Sequence, residues 1–312
     1  MRSPCRCIGI YDRAAFQAGY GVVDRFLRPE GAHPGSILHR SHYAALNEKG
    51  DILRGQAAYW GRPGVHYHQF LQAGENTLNL QLARELYMLV EGSGSYDADA
   101  WLACYIDYML TPGKHRDTYV EEYHRSFFTH YARGKKPRAC GIDDPHIGGL
   151  AQVAALVAAL PAASEATLRA VAQEPVSLTH KNAVVLRAAD VLVRLLCALK
   201  DGQPLRPALH ANEFFSGKKA GVYATQPDET IIGRIFSPAC YIAGAFPAAL
   251  YLAWKYAGDF SARVIANTMC GGDNCHRGAV TGALLGAASG VPDRWTAGLL
   301  TPPPSPAVPA RD

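Results

Sequence analysis

The sequence lacks a strong charge of either sign. Its 312 residues carry 31 Lys and Arg against 27 Asp and Glu, which gives a formal net charge of +4 at pH 7. No basic run is longer than Gly-Lys-Lys, found at 134–136 and at 217–219. Nucleic-acid-binding proteins carry a basic patch or stripe, so this composition gives no support to a nucleic-acid partner. With 48% hydrophobic and 19% charged residues, the composition is that of a globular protein.

The sequence also has little that is typical of secreted or membrane proteins. The N-terminal residues contain no apolar run of signal-peptide length. The eight cysteines follow no regular spacing, which favours reduced thiols in the cytosol over a disulfide framework. Residues 235–254 carry no charge and are long enough to cross a bilayer, but Pro238 and Pro247 interrupt them. We therefore expect a cytoplasmic protein without membrane contact, in which this stretch is a buried helix.

Helical periodicity dominates the chain, and no stretch shows the sustained alternation of polar and apolar residues that a strand would show. The sequence predicts an all-α fold, with at most one or two short strands in the first 60 residues. The predicted helices cover or lie near 78–89, 101–109, 120–131, 147–160, 163–173, 184–196, 240–257, 260–268 and 277–289.

Polar side chains of several kinds precede the last of these helices. Residues 269–290 read MCGGDNCHRGAVTGALLGAASG, in which glycines four residues apart follow the polar cluster at 273–277. Glycines at that spacing lie on one face of a helix and allow another helix to approach closely. One capping side chain satisfies a helix start, whereas this start has several, and its free amides also attract anions. Two interpretations of 271–277 therefore stay open, namely helix capping alone and a ligand site.

A second polar cluster has the same arrangement. Gly74, Glu75, Asn76 and Thr77 come directly before an amphipathic helix. Carboxylate, amide and hydroxyl oxygens are the ligands that hard cations such as Mg²⁺ prefer. The two helix starts would build one metal site if they met, but sequence spacing does not show whether they meet.

Both segments resemble motifs of the ADP-ribosylglycohydrolase family. That family opens an early helix with Asp-Asp-Thr and precedes a late Ala/Gly-rich helix with Gly-Gly-Asp-Thr-Asp-Thr. GENTLNLQLAREL and GGDNCHRGAVTGALLGA stand in the corresponding places. With YVEEYHRSFFTHYARGKKPRACGIDDPHIGGLAQVAAL and SLTHKNAVVLRAADVL, they are most similar to the branch that includes selenoprotein J and related lens crystallins.

The resemblance covers roughly residues 55–295 and carries expectations about fold and activity. It implies a single compact domain of orthogonally packed helices. It also implies a binuclear Mg²⁺ site in active members and hydrolysis of an N- or O-glycosidic bond to ADP-ribose. The expected partner is ADP-ribose or an ADP-ribosylated molecule.

The family's functional residues can be carried over position by position. Glu75 and Asp273 stand where the family has carboxylates, and the resemblance makes them the catalytic candidates. Two of the four family carboxylates are replaced, by Asn76 and by Cys275, which favours one Mg²⁺ ion, or none, over two. The metal-ligand candidates are Glu75, Asn76, Thr77, Asp273, Asn274, Cys275 and His276.

Two further segments are expected on the substrate side. GIDDPHIGGL lies where the family has a loop that grips ADP-ribose, although its polar residues could instead cap the helix from Ile147. His180 resembles part of a Thr-His segment near the substrate, and the alternative is a surface histidine beside a capping Thr179. The substrate-binding candidates are Asp143, Asp144, His146, Gly148 and His180. His66 and His68 are expected to be ordinary polar residues.

Three parts of the chain are expected. They are a divergent or truncated N-terminal segment at 1–54, a helical domain at 55–300 and a disordered proline-rich tail at 301–312. Asp12, in the first part, is a weak candidate for an acidic residue that active members carry before the early motif.

Two functions from different classes follow. The first is a hydrolase of ADP-ribosyl linkages that uses metal-bound water as nucleophile. The second is a catalytically inactive relative, either a structural, crystallin-like protein or a ligand-binding one. A minor third hypothesis is thiol redox at Cys275, because a helix N-terminus lowers a thiol pKa, and the alternative is a buried, inert thiol.

Overall fold

The computed structural model describes residues 18, 20–29, 36–210 and 212–301. Asp12 and the tail from 302 onwards lie outside the described residues. Within the described ranges the fold is all-α, as predicted, and strand-type pairing is limited to isolated bridges. The bridges join Ile142 to His180, His146 to Tyr241, and Ile232 to Phe236.

The helices are numbered in chain order. The α-helices are α1 Leu78–Ser93, α2 Ala98–Leu110, α3 Glu122–Ala132, α4 Ala151–Ala159, α5 Glu165–Ser177, α6 Ala183–Lys200, α7 Leu205–Leu209, α8 Gly217–Tyr223, α9 Asp228–Thr230, α10 Ile242–Lys255, α11 Phe260–Met269, α12 Asn274–Ser289 and α13 Asp293–Thr296. Short 3₁₀ turns lie at Leu38–Arg40, Glu48–Gly50, Arg54–Tyr59, Pro137–Ala139 and Ile147–Leu150, and a kinked π-type turn lies at Ile231–Ile235.

Each segment predicted as a helix contains one, because these segments carry an apolar stripe long enough to show the helical period. The helices that the sequence did not predict, α7, α8, α9 and α13, have only three to seven residues. The predicted start of α3 is also displaced. The backbone stays extended at Glu121 and turns helical only at Glu122, which leaves residues 117–121 as a loop.

Helix α12 lies at the centre of the packing. It contacts α4, α6, α10 and α11, and its apolar side is buried at Val280, Leu284 and Leu285. Outside this centre, α1 packs on α4 and α5 packs on α6. Each fully buried leucine contributes about 1.5–3 kcal/mol relative to exposure, so this core fixes the position of the α12 N-terminus.

The glycines of α12 face α11. A methyl group at Gly278 would lie 3.0 Å from Nδ2 of Asn267, and one at Gly282 would lie 3.4 Å from the guanidinium of Arg263. The close approach that the glycine spacing predicts is therefore present, and polar side-chain ends from α11 fill the space. Gly290 ends the helix with a positive φ of 76°.

The uncharged stretch 235–254 contains most of α10, which includes Pro247 and buries more than half of its residues. Among the described residues, no helix combines the length and the apolar character that a membrane span requires.

Candidate functional site

The starts of α1 and α12 meet, which the spacing of the two motifs in the sequence left open. Thr77 precedes α1 and Cys275 lies in the first turn of α12, and Thr77 Oγ1 is 3.2 Å from Cys275 Sγ. Asp273 caps α12, since its Oδ1 accepts a hydrogen bond from the backbone N–H of His276 at 3.2 Å. The Thr77 hydroxyl also donates to Asn79 Oδ1. Two sets of free backbone amides therefore converge on one place.

This meeting point forms part of a cavity of about 590 Å³. Its volume is in the range of small-molecule sites. The cavity is lined by residues from the segments 20–29, 36–37, 66–68, 77–79, 117–125, 144–146, 240–241 and 264–276, and by Trp295.

A buried aspartate–histidine pair lies at the α12 end of the cavity. Nδ1 of His276 is 2.9 Å from Oδ1 and 3.1 Å from Oδ2 of Asp273, so it donates to this carboxylate. Burial disfavours the charged forms of both residues, but the attraction between the two charges outweighs this effect. The Asp273 carboxylate raises the pKa of His276 to about 9, and His276 in turn holds the pKa of Asp273 well below its usual value. The ring Nε2 of His276 is buried and has no hydrogen-bond partner among the described residues.

His146 lies against this pair. Its ring is perpendicular to that of His276, with centroids 4.7 Å apart, and its Nε2 is 3.8 Å from Oδ2 of Asp273. Its Nδ1 accepts a hydrogen bond from the backbone N–H of Gly148 at 2.8 Å and so caps the 3₁₀ turn at Ile147–Leu150. His146 therefore caps this turn, and its ring also lines the cavity. Burial and the charge of His276 lower its pKa well below the usual value.

Glu121 completes a cluster that the sequence analysis missed. One ligand atom each of Glu121, His146 and His276 lies within 4.8 Å of the others, and the same holds for His146, Cys240 and Asp273. Burial raises the pKa of the Glu121 carboxyl. Glu121 belongs to the extended segment before α3, where no periodicity marks it, so only the three-dimensional structure reveals it.

A second aspartate–histidine pair was also missed. Nδ1 of His68 is 2.5 Å from Oδ1 of Asp117, which is fully buried. Burial alone would lower the pKa of His68, but the Asp117 hydrogen bond and charge raise it. The backbone N–H groups of Thr118 and Tyr119 both donate to Tyr67 O, which ties the two loops together. His68 was expected to be an ordinary polar residue, and a histidine two positions from another gave no signal of this pairing.

The residues of the early motif do not all lie in the cavity wall. Thr77 lines the cavity, whereas Glu75 and Asn76 do not. Both Glu75 carboxylate oxygens accept from Arg116, and Oε2 also accepts from the backbone N–H of Gln72 at 3.0 Å. The reason is the turn at Gly74, whose φ is 83° and which packs directly against Gly298 O. The structure therefore does not bring Glu75 to Asp273.

The rest of the late motif lies in the cavity wall. Asn274 lines the cavity and donates weakly to Thr268 O at 3.4 Å. Cys275 Sγ is 3.5 Å from Asn79 Oδ1 as well as close to Thr77. Burial, and then the charge of Asp273, raise the pKa of Cys275 to about 12. This favours the inert thiol over the redox alternative.

The loop before α4 contributes Asp144 and His146 to the cavity, but not Asp143 or Gly148. Asp143 is exposed and accepts a hydrogen bond from Asn182 Nδ2 at 2.7 Å. Asp144 accepts from the backbone N–H of His146, and burial raises its pKa. Gly148 has no room for a side chain, because a methyl group there would lie 2.7 Å from the Tyr123 hydroxyl.

His180 is fully buried, so the surface-histidine alternative is wrong. Its Nδ1 is 2.8 Å from Thr179 Oγ1, its ring lies 4.2 Å from that of Tyr123 between centroids, and it does not line the large cavity. Burial lowers its pKa to about 3. Helix α6 is capped by Asn182 and not by Thr179, since Asn182 Oδ1 accepts from Val184 and Val185.

The donor atoms around the two helix starts do not fit a pair of Mg²⁺ ions. Mg²⁺ requires near-octahedral oxygen ligands and usually one or two carboxylates. Here Asp273 is the one carboxylate of the two motifs in the cavity, and both of its oxygens face His276. The neighbouring donors include the Cys275 thiol and imidazole nitrogens, which Mg²⁺ does not prefer, and the Thr77 hydroxyl, which is already bonded to Asn79.

Comparison with known proteins gives two positive results. A family model described as ADP-ribosylglycohydrolase matches residues 30–307. A solved structure described as an ADP-ribosylglycohydrolase-related protein complex superimposes with a TM-score of 0.56 at 23% identity, and the match covers 73% of this chain and 77% of that one. The structural match supports the fold alone. The curated proteins give no significant match.

Proposed function

The chain belongs to the ADP-ribosylglycohydrolase family, and we propose that its cavity binds an ADP-ribosyl group and hydrolyses the glycosidic bond to it. The observation that carries the proposal is the meeting of the α1 and α12 starts at an Asp273–His276 pair inside one cavity of small-molecule size. The proposal does not depend on Mg²⁺.

The cavity offers suitable groups for the nucleotide part. Arg25, Arg28 and Arg125 line it and carry positive charge for a diphosphate. The free amides and dipoles of two helix N-termini add to this attraction. The Arg125 guanidinium lies over the ring of Tyr119, 5.7 Å away, and Tyr119 also lines the cavity.

Bond cleavage needs a proton for the leaving group and stabilisation of positive charge on the sugar. We assign the proton to His68, whose Nδ1–H is held by Asp117 and whose raised pKa keeps it partly protonated near neutral pH. We assign the second role to Asp273, whose lowered pKa keeps it ionised. Water then attacks the anomeric carbon as the leaving group departs with the proton from His68, and the proton that the water loses returns to the neutral His68 ring. Glu75 is given no role, since its carboxylate is bonded to Arg116.

Binding without hydrolysis is the second candidate. It is favoured by one observation, namely that both oxygens of Asp273 are already engaged by His276. The similarity to the selenoprotein J and crystallin branch is compatible with such a protein.

The test separates binding from hydrolysis. ADP-ribose is titrated into the full chain by calorimetry, and one N-linked and one O-linked ADP-ribosyl peptide are assayed for released ADP-ribose by mass spectrometry. We expect His68→Gln and Asp273→Asn to decrease release by about 100-fold or more, in the range of general acid–base and electrostatic contributions. His210→Gln and Asp201→Asn, at exposed positions outside the cavity, are the matched controls. Binding without release would select the second candidate, and no binding would reject both.

A further inference from the structure

We propose that the cavity holds a site for a borderline transition-metal ion of the Zn²⁺ class, with Nε2 of His276, a carboxylate oxygen of Glu121 and a ring nitrogen of His146 as its protein ligands. This site is distinct in chemistry from an oxygen-ligated Mg²⁺ site. It does not depend on the proposed hydrolysis, because it is defined by donor atoms of the free protein.

The Nε2 nitrogen of His276 lacks a hydrogen-bond partner within the part of the chain that the structure describes. This histidine is only 5% exposed, and its ring lines the cavity. A buried polar nitrogen without a partner destabilises the folded state, so the fold keeps it against a penalty. A bound cation would remove that penalty.

Three metal-ligating side chains converge at this place in the cavity. Ligand atoms of Glu121 and His146 lie within 4.8 Å of each other and of a His276 nitrogen. Zn²⁺ binds imidazole nitrogen and carboxylate oxygen at about 2.0–2.2 Å, in sites of three protein ligands and an open position. Binding would require these side chains to rotate so that their donor atoms come closer together.

The ring of His276 is oriented by its hydrogen bond to Asp273. Its Nδ1–H donates to Asp273, 2.9 Å away, so Nε2 is the ring nitrogen left to bind a metal ion, which would replace the proton there. Metal-bound histidines show this same arrangement, in which a carboxylate accepts from the other ring nitrogen and fixes the ring. In this proposal Asp273 is a positioning residue for the metal ligand. Its charge and that of Glu121 would together balance a divalent ion.

The donor set also decides which ion is bound. Two imidazole nitrogens and one carboxylate match Zn²⁺ and related ions, while Mg²⁺ prefers carboxylate and water oxygens in octahedral geometry. The two positions where the resemblance puts a family carboxylate and this chain has none are Asn76, outside the cavity, and Cys275, a thiol. The disagreement with Mg²⁺ is therefore a property of this chain's own side chains.

The three ligands are not equivalent. His146 Nδ1 accepts a hydrogen bond from Gly148 N–H, so its Nε2 carries the proton while that bond stands. Coordination by His146 requires loss of this proton or of the Gly148 hydrogen bond. We therefore expect His276 to contribute most to affinity, then Glu121, and His146 least.

The experiment measures metal affinity of the metal-stripped full chain at pH 7 by competition with a chromogenic chelator. We expect Zn²⁺ to bind with one-to-one stoichiometry and millimolar Mg²⁺ not to displace it. His276→Gln and Glu121→Gln should weaken Zn²⁺ binding by more than about 100-fold, and Asp273→Asn by about 10–100-fold, as for outer-shell carboxylates. His146→Gln should cost less than Glu121→Gln. His210→Gln, at an exposed position, is the control for adventitious histidine binding and should leave the affinity unchanged.

Cobalt substitution keeps the test decisive if a variant folds poorly. Co²⁺ in the wild-type chain should give the intense visible bands of four-coordinate geometry without a thiolate charge-transfer band. A thiolate band that Cys240→Ser removes would overturn the ligand assignment in favour of the neighbouring set His146, Cys240 and Asp273. Zn²⁺ affinity unchanged by both His276→Gln and Glu121→Gln, or displacement of Zn²⁺ by Mg²⁺, would overturn the proposal itself.

Discussion

At the scale of single residues, two histidines give the cavity its chemistry, and each depends on one buried carboxylate. Asp117 accepts from His68 and Asp273 accepts from His276, in both cases at Nδ1. A carboxylate in this place fixes the tautomer and raises the basicity of the other ring nitrogen. Replacing either aspartate therefore changes the protonation of its histidine as well as removing a charge.

A substitution at Glu75 tests whether the carboxylate of the early motif takes part in ligand binding. We expect Glu75→Gln to leave ADP-ribose affinity within about twofold of wild type and to cost less than about 1 kcal/mol of stability, because the pair with Arg116 is partly exposed. Calorimetry and urea unfolding measure the two quantities. Arg116→Gln, which removes the same pair from its other side, is the control. Loss of ligand binding in Glu75→Gln alone would mean that this carboxylate does enter the site.

Cys275 provides a second test. Its pKa, raised to about 12, predicts that it stays protonated and unreactive in the folded protein below pH 9. The alkylation rate is followed against pH by mass spectrometry of the peptide that contains Cys275, with Cys275→Ser as the control. We expect labelling of this position only when the protein is unfolded. A rate that reaches a plateau below about pH 7.5 would restore the thiolate hypothesis.

The sequence predicted some of the site residues and missed others for physical reasons. Thr77 and the late motif could be found because helix starts have a local signature of capping side chains and glycine. Glu121 and the His68–Asp117 pair could not, because their contacts join loops 49 residues apart or depend on where the extended segment turns helical. Glu75 lies outside the cavity wall because a positive φ at Gly74 redirects the chain, and sequence alone does not give that direction.

At the scale of elements, the long helices were predictable and their meeting was not. Periodicity identifies α1, α6 and α12 within a few residues, since each buries one continuous stripe. Which helix ends lie together is decided by the packing of α12 against the helices around it, among them α4, α6, α10 and α11. The resemblance to a known family supplied that arrangement in advance, where the residue pattern left it open.

The interface between α11 and α12 gives a third prediction. Gly278→Ala would place a methyl group 3.0 Å from Asn267 Nδ2. Asn267 cannot move away freely, because it donates to Asn274 O at 2.8 Å and accepts from Arg277 Nε at 2.7 Å. We expect this variant to lose about 1–3 kcal/mol of stability in urea unfolding, as for overpacked core positions.

Gly286→Ala is the matched control on the same face of the same helix. Its methyl group would meet only Val291 Cγ2, at 3.4 Å, and alanine gains up to about 1 kcal/mol in helix propensity over glycine. Gly286→Ala should therefore be neutral or stabilising. Equal effects of the two substitutions would show that helix propensity, and not contact with Asn267, explains these glycines.

At the scale of the whole molecule, buried histidines set the pH dependence of stability. Burial lowers the pKa of His66 to about 4 and that of His180 to about 3, and it also lowers those of His115, His124 and His146. Their carboxylate partners raise the pKa values of His68 and His276. A histidine with a lowered pKa gives its full contribution above the unfolded pKa of about 6.5 and loses it as the pH falls. One with a raised pKa gives its full contribution below that value and loses it as the pH rises.

The metal-free protein should therefore be most stable near neutral pH. It should lose stability as the pH falls, because more of these histidines have a lowered pKa than a raised one. His180 alone accounts for about 2 kcal/mol between pH 7 and pH 5, because its folded pKa is about 3. We expect His180→Phe, which keeps the ring beside Tyr123 and cannot be protonated, to reduce the loss of Tm between pH 7 and pH 5 by about 2–6 °C. Thermal unfolding by circular dichroism in matched ionic strength measures this difference. His210→Phe, at an exposed position, should keep the wild-type slope. If His180→Phe shows the same slope as wild type, His180 is protonated in the folded state and its assignment as a neutral buried ring must be abandoned.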